Sequence, residues 1–170
     1  MYIENNEVKR YPIAAVIAWV LTVLWMAVIF LFSHQDSDSS SGLSGQLAAV
    51  LVRLTGGQLE GPQLVRFEGM LRVFAHGFIF FVLGLLVSYA FETINIKELP
   101  NAALAFIVSA LYAASDELHQ VYVPGRAGEV KDFLVDCVGI VIAIIVYQVI
   151  KTIIDLRAEL GVGAQDELRL

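Results

Sequence analysis

The chain has 170 residues, 58% of them hydrophobic and 16% charged, against about a quarter charged in an ordinary soluble domain. The length allows a single domain, and the formal net charge of −6 argues against a nucleic-acid partner, which asks for a basic footprint. The single cysteine, Cys137, excludes an internal disulfide and lies in an apolar run, where a thiol serves as a small packing group.

Lys9 and Arg10 precede the first apolar run, Pro12 to Phe32, which carries no charge. A helix of that length covers about 31 Å and matches a hydrocarbon core of about 30 Å. The run is longer than a signal-peptide core and lacks an Ala-x-Ala exit, so it is read as a retained span. After it, "SHQDSDSSSG" forms a solvated serine-rich link. Leu43, Leu47, Val50, Leu51 and Leu54 then recur at helical spacing, which predicts a short amphipathic helix. That helix either lies in the membrane interface or packs on the bundle as a lid.

"TGGQLEGP" ends the amphipathic segment, and Leu64, Phe67 and Leu71 lead into a second span, Val73 to Phe91. Its one ionisable group is His76; its "FIFF" run reads as lipid-facing or packing. A short connection near Glu92 to Glu98 precedes the third span, Leu99 to Ser115, whose start Pro100 and Asn101 should fray. The third helix is expected to continue into "SDELHQVYVPGR", Ser115 to Arg126. There Pro124 pushes Val123 extended, Gly125 suits a type II turn, and Arg126 is turned back over the helix ends. The fourth span, Phe133 to Ile150, contains Asp136 and is followed by a helical extension and a polar end.

A backbone in hydrocarbon must bond to itself, so the spans are helices. The expected fold is all-α: an integral membrane four-helix bundle over residues 12–150, with an amphipathic segment on the outer face between helices 1 and 2. Residues 151–170 form a cytoplasmic tail. Lys9 and Arg10 before the first span and Lys151 and Arg157 after the last favour cytoplasmic termini.

Alternation of the spans sorts the polar residues. Ser33, His34 and Gln35 close the first span, Arg72 and His76 open the second, Asp116, Glu117, His119 and Gln120 close the third, and Asp132 and Asp136 open the fourth. All of these meet at one face of the membrane, and the opposite helix ends are expected to carry no such groups. Arg72 and His76 share a helix face, as do Asp116, His119 and Gln120, and Asp132, Asp136 and Gly139 form a stripe in which the glycine admits a close neighbour. Four carboxylates in a small, partly dry volume repel one another and lose hydration. Arg126 and Arg72, protonation or a bound cation must compensate, and Arg126 is expected within ion-pair distance of at least one of the acids.

The bland alternative is a structural clasp of Arg126 with the acids. His76 suits a proton carrier, a ligand or a helix–helix hydrogen bond, and His34 reads as solvated. The cluster matches no compact metal motif, so no metal or other cofactor is expected. A "HQ" pair closes both the first and third spans, a hint of two related hairpins.

At these residues the sequence resembles the VanZ-like family of small bacterial membrane proteins. The family pattern D-E-x-H-Q-x-x-x-P-G-R, followed by two acids and a glycine, is met by Asp116, Glu117, His119, Gln120, Pro124, Gly125, Arg126, Asp132, Asp136 and Gly139. Its F-S-x-Q is Phe32, Ser33 and Gln35, and its Arg-Lys-x-x-His is Arg72 and His76, with Val73 at the lysine position. Where members often carry Glu-Tyr, this chain has Ile79 and Phe80. The resemblance implies a multi-pass protein of the bacterial cytoplasmic membrane and cell envelope, with a contribution to low-level teicoplanin resistance.

The residues suggest a polar pocket of Ser33, Gln35, Arg72, His76, Asp116, Glu117, His119, Gln120, Arg126, Asp132 and Asp136. The leading expectation is that it binds a lipid headgroup, a lipid-linked cell-wall precursor or a lipoglycopeptide, with membrane lipids as partners. The rival is a membrane-embedded enzyme on a lipid-linked substrate, with Asp116 or Glu117 as base and His119 as acid or electrophile. Proton-coupled transport is a third class, weakened by the lack of a broken helix.

Overall fold

A computed structural model describes residues 11–35, 37–54, 60–96 and 98–167. Lys9, Arg10, Lys97 and Arg169, which enter the orientation argument, lie outside the described residues, as does most of "TGGQLEGP". Five helices follow in order: α1 (Tyr11–Ser33), α2 (Ser37–Leu54), α3 (Pro62–Thr93), α4 (Glu98–Gln120) and α5 (Val130–Glu167). Four of them, all but α2, are long and apolar enough to cross a membrane. The all-helical, four-span expectation therefore holds.

Local chemistry sets the ends. Gly61 at φ 56° turns the chain and Pro62 opens α3, where its missing N–H costs nothing. At the other end Asn95 takes φ 66°, its N–H bonds to the Glu92 carbonyl and the Ile96 N–H to the Phe91 carbonyl. That is a Schellman closure with asparagine in the left-handed position. It reverses the chain into α4. The expected fraying of α4 does not occur. Pro100 falls in the first turn, and the buried Asn101 amide donates to the carbonyls of Ser88 and Ile96, both at 2.9 Å.

The core runs along α3. Phe80, Leu83, Val87 and Phe91 are buried at helical spacing and meet Ile29 of α1, Ala105 and Ala113 of α4, and Ile140 and Ile144 of α5. α3 and α5 make the most extensive contact. A side chain on Gly139 would collide with the Gly77 carbonyl, and one on Gly84 with Ala143, so small residues let the two backbones touch. Trp25 of α1 donates to the Ile79 carbonyl at 3.0 Å and Tyr112 of α4 to the Met26 carbonyl at 2.6 Å, tying α1 to both neighbours.

The "FIFF" run divides: Phe80 is core, while Phe78 is exposed and stacks with Phe74 and Phe81. α2 sets its small edge, Gly45 and Ala48, on the bundle and packs on α3. Leu47, Val50, Leu51 and Leu54 remain exposed. The opposite helix ends do carry ionisable groups, contrary to the sequence expectation. Lys151 lies 2.8 Å from Glu92 and 3.1 Å from Asp155, and the Tyr147 hydroxyl bonds to Glu92. The helical extension of α5 past Ile150 brings Lys151 and Asp155 into register with the end of α3. α5 is continuous across the boundary expected at residue 150.

Candidate functional site

The polar end of the bundle is assembled from the C-termini of α1 and α4, the N-terminal halves of α3 and α5, and the α4–α5 turn. That turn forms as the sequence predicts. Gly125 has φ 74°, and the Arg126 N–H bonds to the Val123 carbonyl at 3.1 Å. Arg126 is thereby folded back over the helix ends.

A cavity of about 250 Å³ opens there. Its polar wall is Ser33, Gln35, Arg72, His76, Asp116, Gln120 and Arg126. Its apolar wall is Ile29, Phe32, Leu47, Leu71, Ala75, Ile79 and Phe80. A second cavity of about 210 Å³ shares Arg72, His76, Gln120 and Arg126 and adds Glu129 and Asp132. Seven of the expected pocket residues thus line one cavity, and Asp132 lines its neighbour.

Gln120 organises the acids. Its amide donates to Asp116 Oδ2 at 3.0 Å and to Glu117 Oε1 at 3.4 Å, while its oxygen accepts from Arg126 Nη1 at 3.4 Å. Arg126 Nη2 donates to the Phe32 carbonyl at 3.4 Å. The expected ion pair between Arg126 and Asp116, Glu117, Asp132 or Asp136 is not formed: Gln120 stands between the guanidinium and Asp116. Burial and the neighbouring Arg72 guanidinium draw Arg126 below the ordinary arginine value, against the pull of the acids. It stays charged at any physiological pH. Two guanidinium groups thus share one cavity with the Asp116 carboxylate.

Behind the cavity wall Asp136 is wholly buried, and neither carboxylate oxygen has a hydrogen-bond partner among the described residues. Its nearest polar neighbour of opposite potential charge is His76 Nδ1 at 3.7 Å, too far for a hydrogen bond. Glu117 Oε2 accepts from the Glu129 backbone N–H at 2.8 Å. Single ligand atoms of His76, Glu117 and Asp136 lie within 4.8 Å of one another, although no compact sequence motif links them.

The pattern D-E-x-H-Q and the F-S-x-Q segment, both deduced from sequence to share one membrane face, thus converge in space. A family model described as VanZ/LLP1 matches residues 18–151, most of the chain. The chain belongs to the VanZ/LLP1 family. No curated protein and no solved structure matches it.

Within this VanZ/LLP1 site His119 stands apart. It lines neither cavity and instead meets His34, Nε2 to Nδ1 at 3.3 Å, with Phe30 packed 4.7 Å from the His119 ring. His34 is exposed, as expected, and meets His119 at the surface of the bundle. The repeated "HQ" dipeptide was the signal for this pair: each histidine closes a span beside a pocket glutamine. The Ser33 hydroxyl is buried without a hydrogen-bond partner among the described residues, facing the same cavity.

Proposed function

We propose that the polar end of this VanZ/LLP1 protein faces outward from the bacterial cytoplasmic membrane and binds the anionic headgroup of a membrane lipid or lipid-linked cell-wall precursor. One observation carries the reading: a single cavity joins two arginines at its polar wall to a hydrocarbon wall. A phosphate suits paired guanidinium groups, and the first carbons of an acyl or prenyl chain suit Ile29, Phe32, Leu71 and Ile79. Gln35 and Asp116, on the same wall, would contact sugar or amine groups. Occupying or shielding such a precursor at the outer face would lower the access of a membrane-anchored glycopeptide, consistent with a part in low-level teicoplanin resistance. The enzyme reading with His119 as acid is less favoured, because His119 is engaged with His34 and Phe30 away from the cavity.

The test uses the full chain in mild detergent and native mass spectrometry of retained lipid. Wild type should carry an anionic lipid, and Arg126→Ala should lose it. Loss of a charge-assisted contact of about 1.5–3 kcal/mol weakens retention roughly tenfold or more. In a host lacking the gene, Arg126→Ala at matched membrane levels should give less protection against teicoplanin than wild type. Equal lipid retention and equal protection in the two proteins would reject the reading.

A further inference from the structure

The groups behind the cavity wall have a chemistry of their own. Asp136 is fully buried in a membrane-spanning helix and leaves both oxygens without a hydrogen bond among the described residues. Glu117, also buried, lies beside it on α4, and His76 of α3 completes the triangle. Two carboxylates and a neutral imidazole leave two negative charges to be balanced in a poorly solvated volume. Arg126 acts on Glu117 only from a distance and forms no ion pair with either acid.

We propose that His76 Nδ1 and the carboxylates of Glu117 and Asp136 hold a divalent metal ion of the zinc type. Nitrogen and oxygen ligands about 2.1 Å from a four-coordinate ion stand roughly 3.4 Å apart, and about 3.0 Å apart around an octahedral one. The His76 Nδ1 to Asp136 Oδ1 separation of 3.7 Å is nearer the four-coordinate spacing. The imidazole favours a zinc-type ion over calcium or magnesium, and zinc also accepts carboxylate oxygens. The ion's charge of two neutralises the two acids and satisfies the orphaned Asp136 oxygens.

The supporting contacts are in place. The Glu129 N–H fixes one oxygen of Glu117 at 2.8 Å, and the Gln120 amide approaches the other at 3.4 Å. Such outer contacts orient a ligand. The loop can come so near because residue 128 is glycine: a Cβ there would lie 2.5 Å from the Glu117 carbonyl oxygen. Three protein ligands leave a fourth position, and His76 lines both cavities, so that position can be reached from them. The metal site does not rest on the lipid reading.

The test is metal content of the full chain purified in detergent without chelator. Elemental mass spectrometry should find about one zinc per chain. After chelator treatment, added zinc chloride should restore it and raise the melting temperature. His76→Gln, Glu117→Gln and Asp136→Asn should each weaken zinc binding at least about tenfold. Asp155→Asn, at the far end of the bundle, should bind as wild type. Three ligand variants guard against misfolding of any one, and each is read only if it elutes as a single folded species. A folded wild type that takes up no zinc overturns the proposal. So does zinc that survives all three substitutions, or tighter binding of calcium than of zinc.

Discussion

Gly128 shows how one missing side chain can set the chemistry of a neighbour. Without a Cβ, the loop backbone rests against the Glu117 carbonyl and the next N–H reaches the Glu117 carboxylate. Gly128→Ala should push the loop away and release that carboxylate. Zinc affinity, measured by competition with a chromophoric chelator, should fall about 10–100-fold while the far-end cluster of Glu92 and Lys151 is untouched. Unchanged affinity would mean that Glu117 is held some other way. The sequence made the membership of the polar end legible, because span alternation alone places Arg72, Asp116, Gln120, Arg126 and Asp136 on one face. It did not make the His76–Glu117–Asp136 triangle legible. Those residues come from three helices whose flanks are apolar nearly all round, and a uniform apolar helix does not declare its rotation. For the same reason Arg126 was expected to meet an acid directly. Gln120 takes that place, and only the packed helices fix which side chain comes first.

The α3–α5 pair depends on close backbone approach at Gly77 and Gly139. Gly139→Val would place its side chain on the Gly77 carbonyl, a backbone atom that cannot rotate aside. It should destabilise the detergent-solubilised protein by about 1–3 kcal/mol, read as a lower melting temperature. Gly69→Ala, on an open face of α3 where nothing lies within 4 Å, should leave stability unchanged or raise it by up to about 1 kcal/mol. Equal effects of the two would show that the crossing is not tightly packed. The existence and number of these elements were legible because bilayer length is a coarse, strong signal. Their ends were less so: Pro100 reads as a disruptor until its place in the first turn is known, and the Lys151–Glu92–Asp155 cluster appears only when the helical extension of α5 is laid beside α3. α2 begins at Ser37, inside the stretch expected as a link, and packs Gly45 and Ala48 on the bundle with Leu47, Leu51 and Leu54 exposed. If those leucines lie in the headgroup region, Leu54→Trp in bilayers should be quenched more by lipids brominated near the headgroup than by lipids brominated near the chain end. The reverse order would place α2 deep in the hydrocarbon.

At the scale of the whole molecule the four long helices present exposed apolar side chains, among them Val23, Leu31, Leu111, Val141 and Ile145, over a buried core that is itself apolar. A surface of this kind is stable only in lipid, and it makes the polar end a feature of one membrane face. An even number of spans puts the two termini on the same side, opposite the α4–α5 turn. Lys151 and Arg157 at the far end favour the cytoplasm for that side, and Lys9 and Arg10 agree in sequence. Single cysteines in a Cys137→Ala background separate the cases. Ala127→Cys, exposed in the turn beside Arg126, should react with an impermeant maleimide in intact cells, whereas Asn6→Cys and Gln165→Cys should react only after the membrane is opened. The opposite pattern would turn the arginine-lined cavity toward the cytoplasm. The proposed protection against an external glycopeptide would then fail, while the zinc site, which depends only on how α3, α4 and α5 pack, would stand.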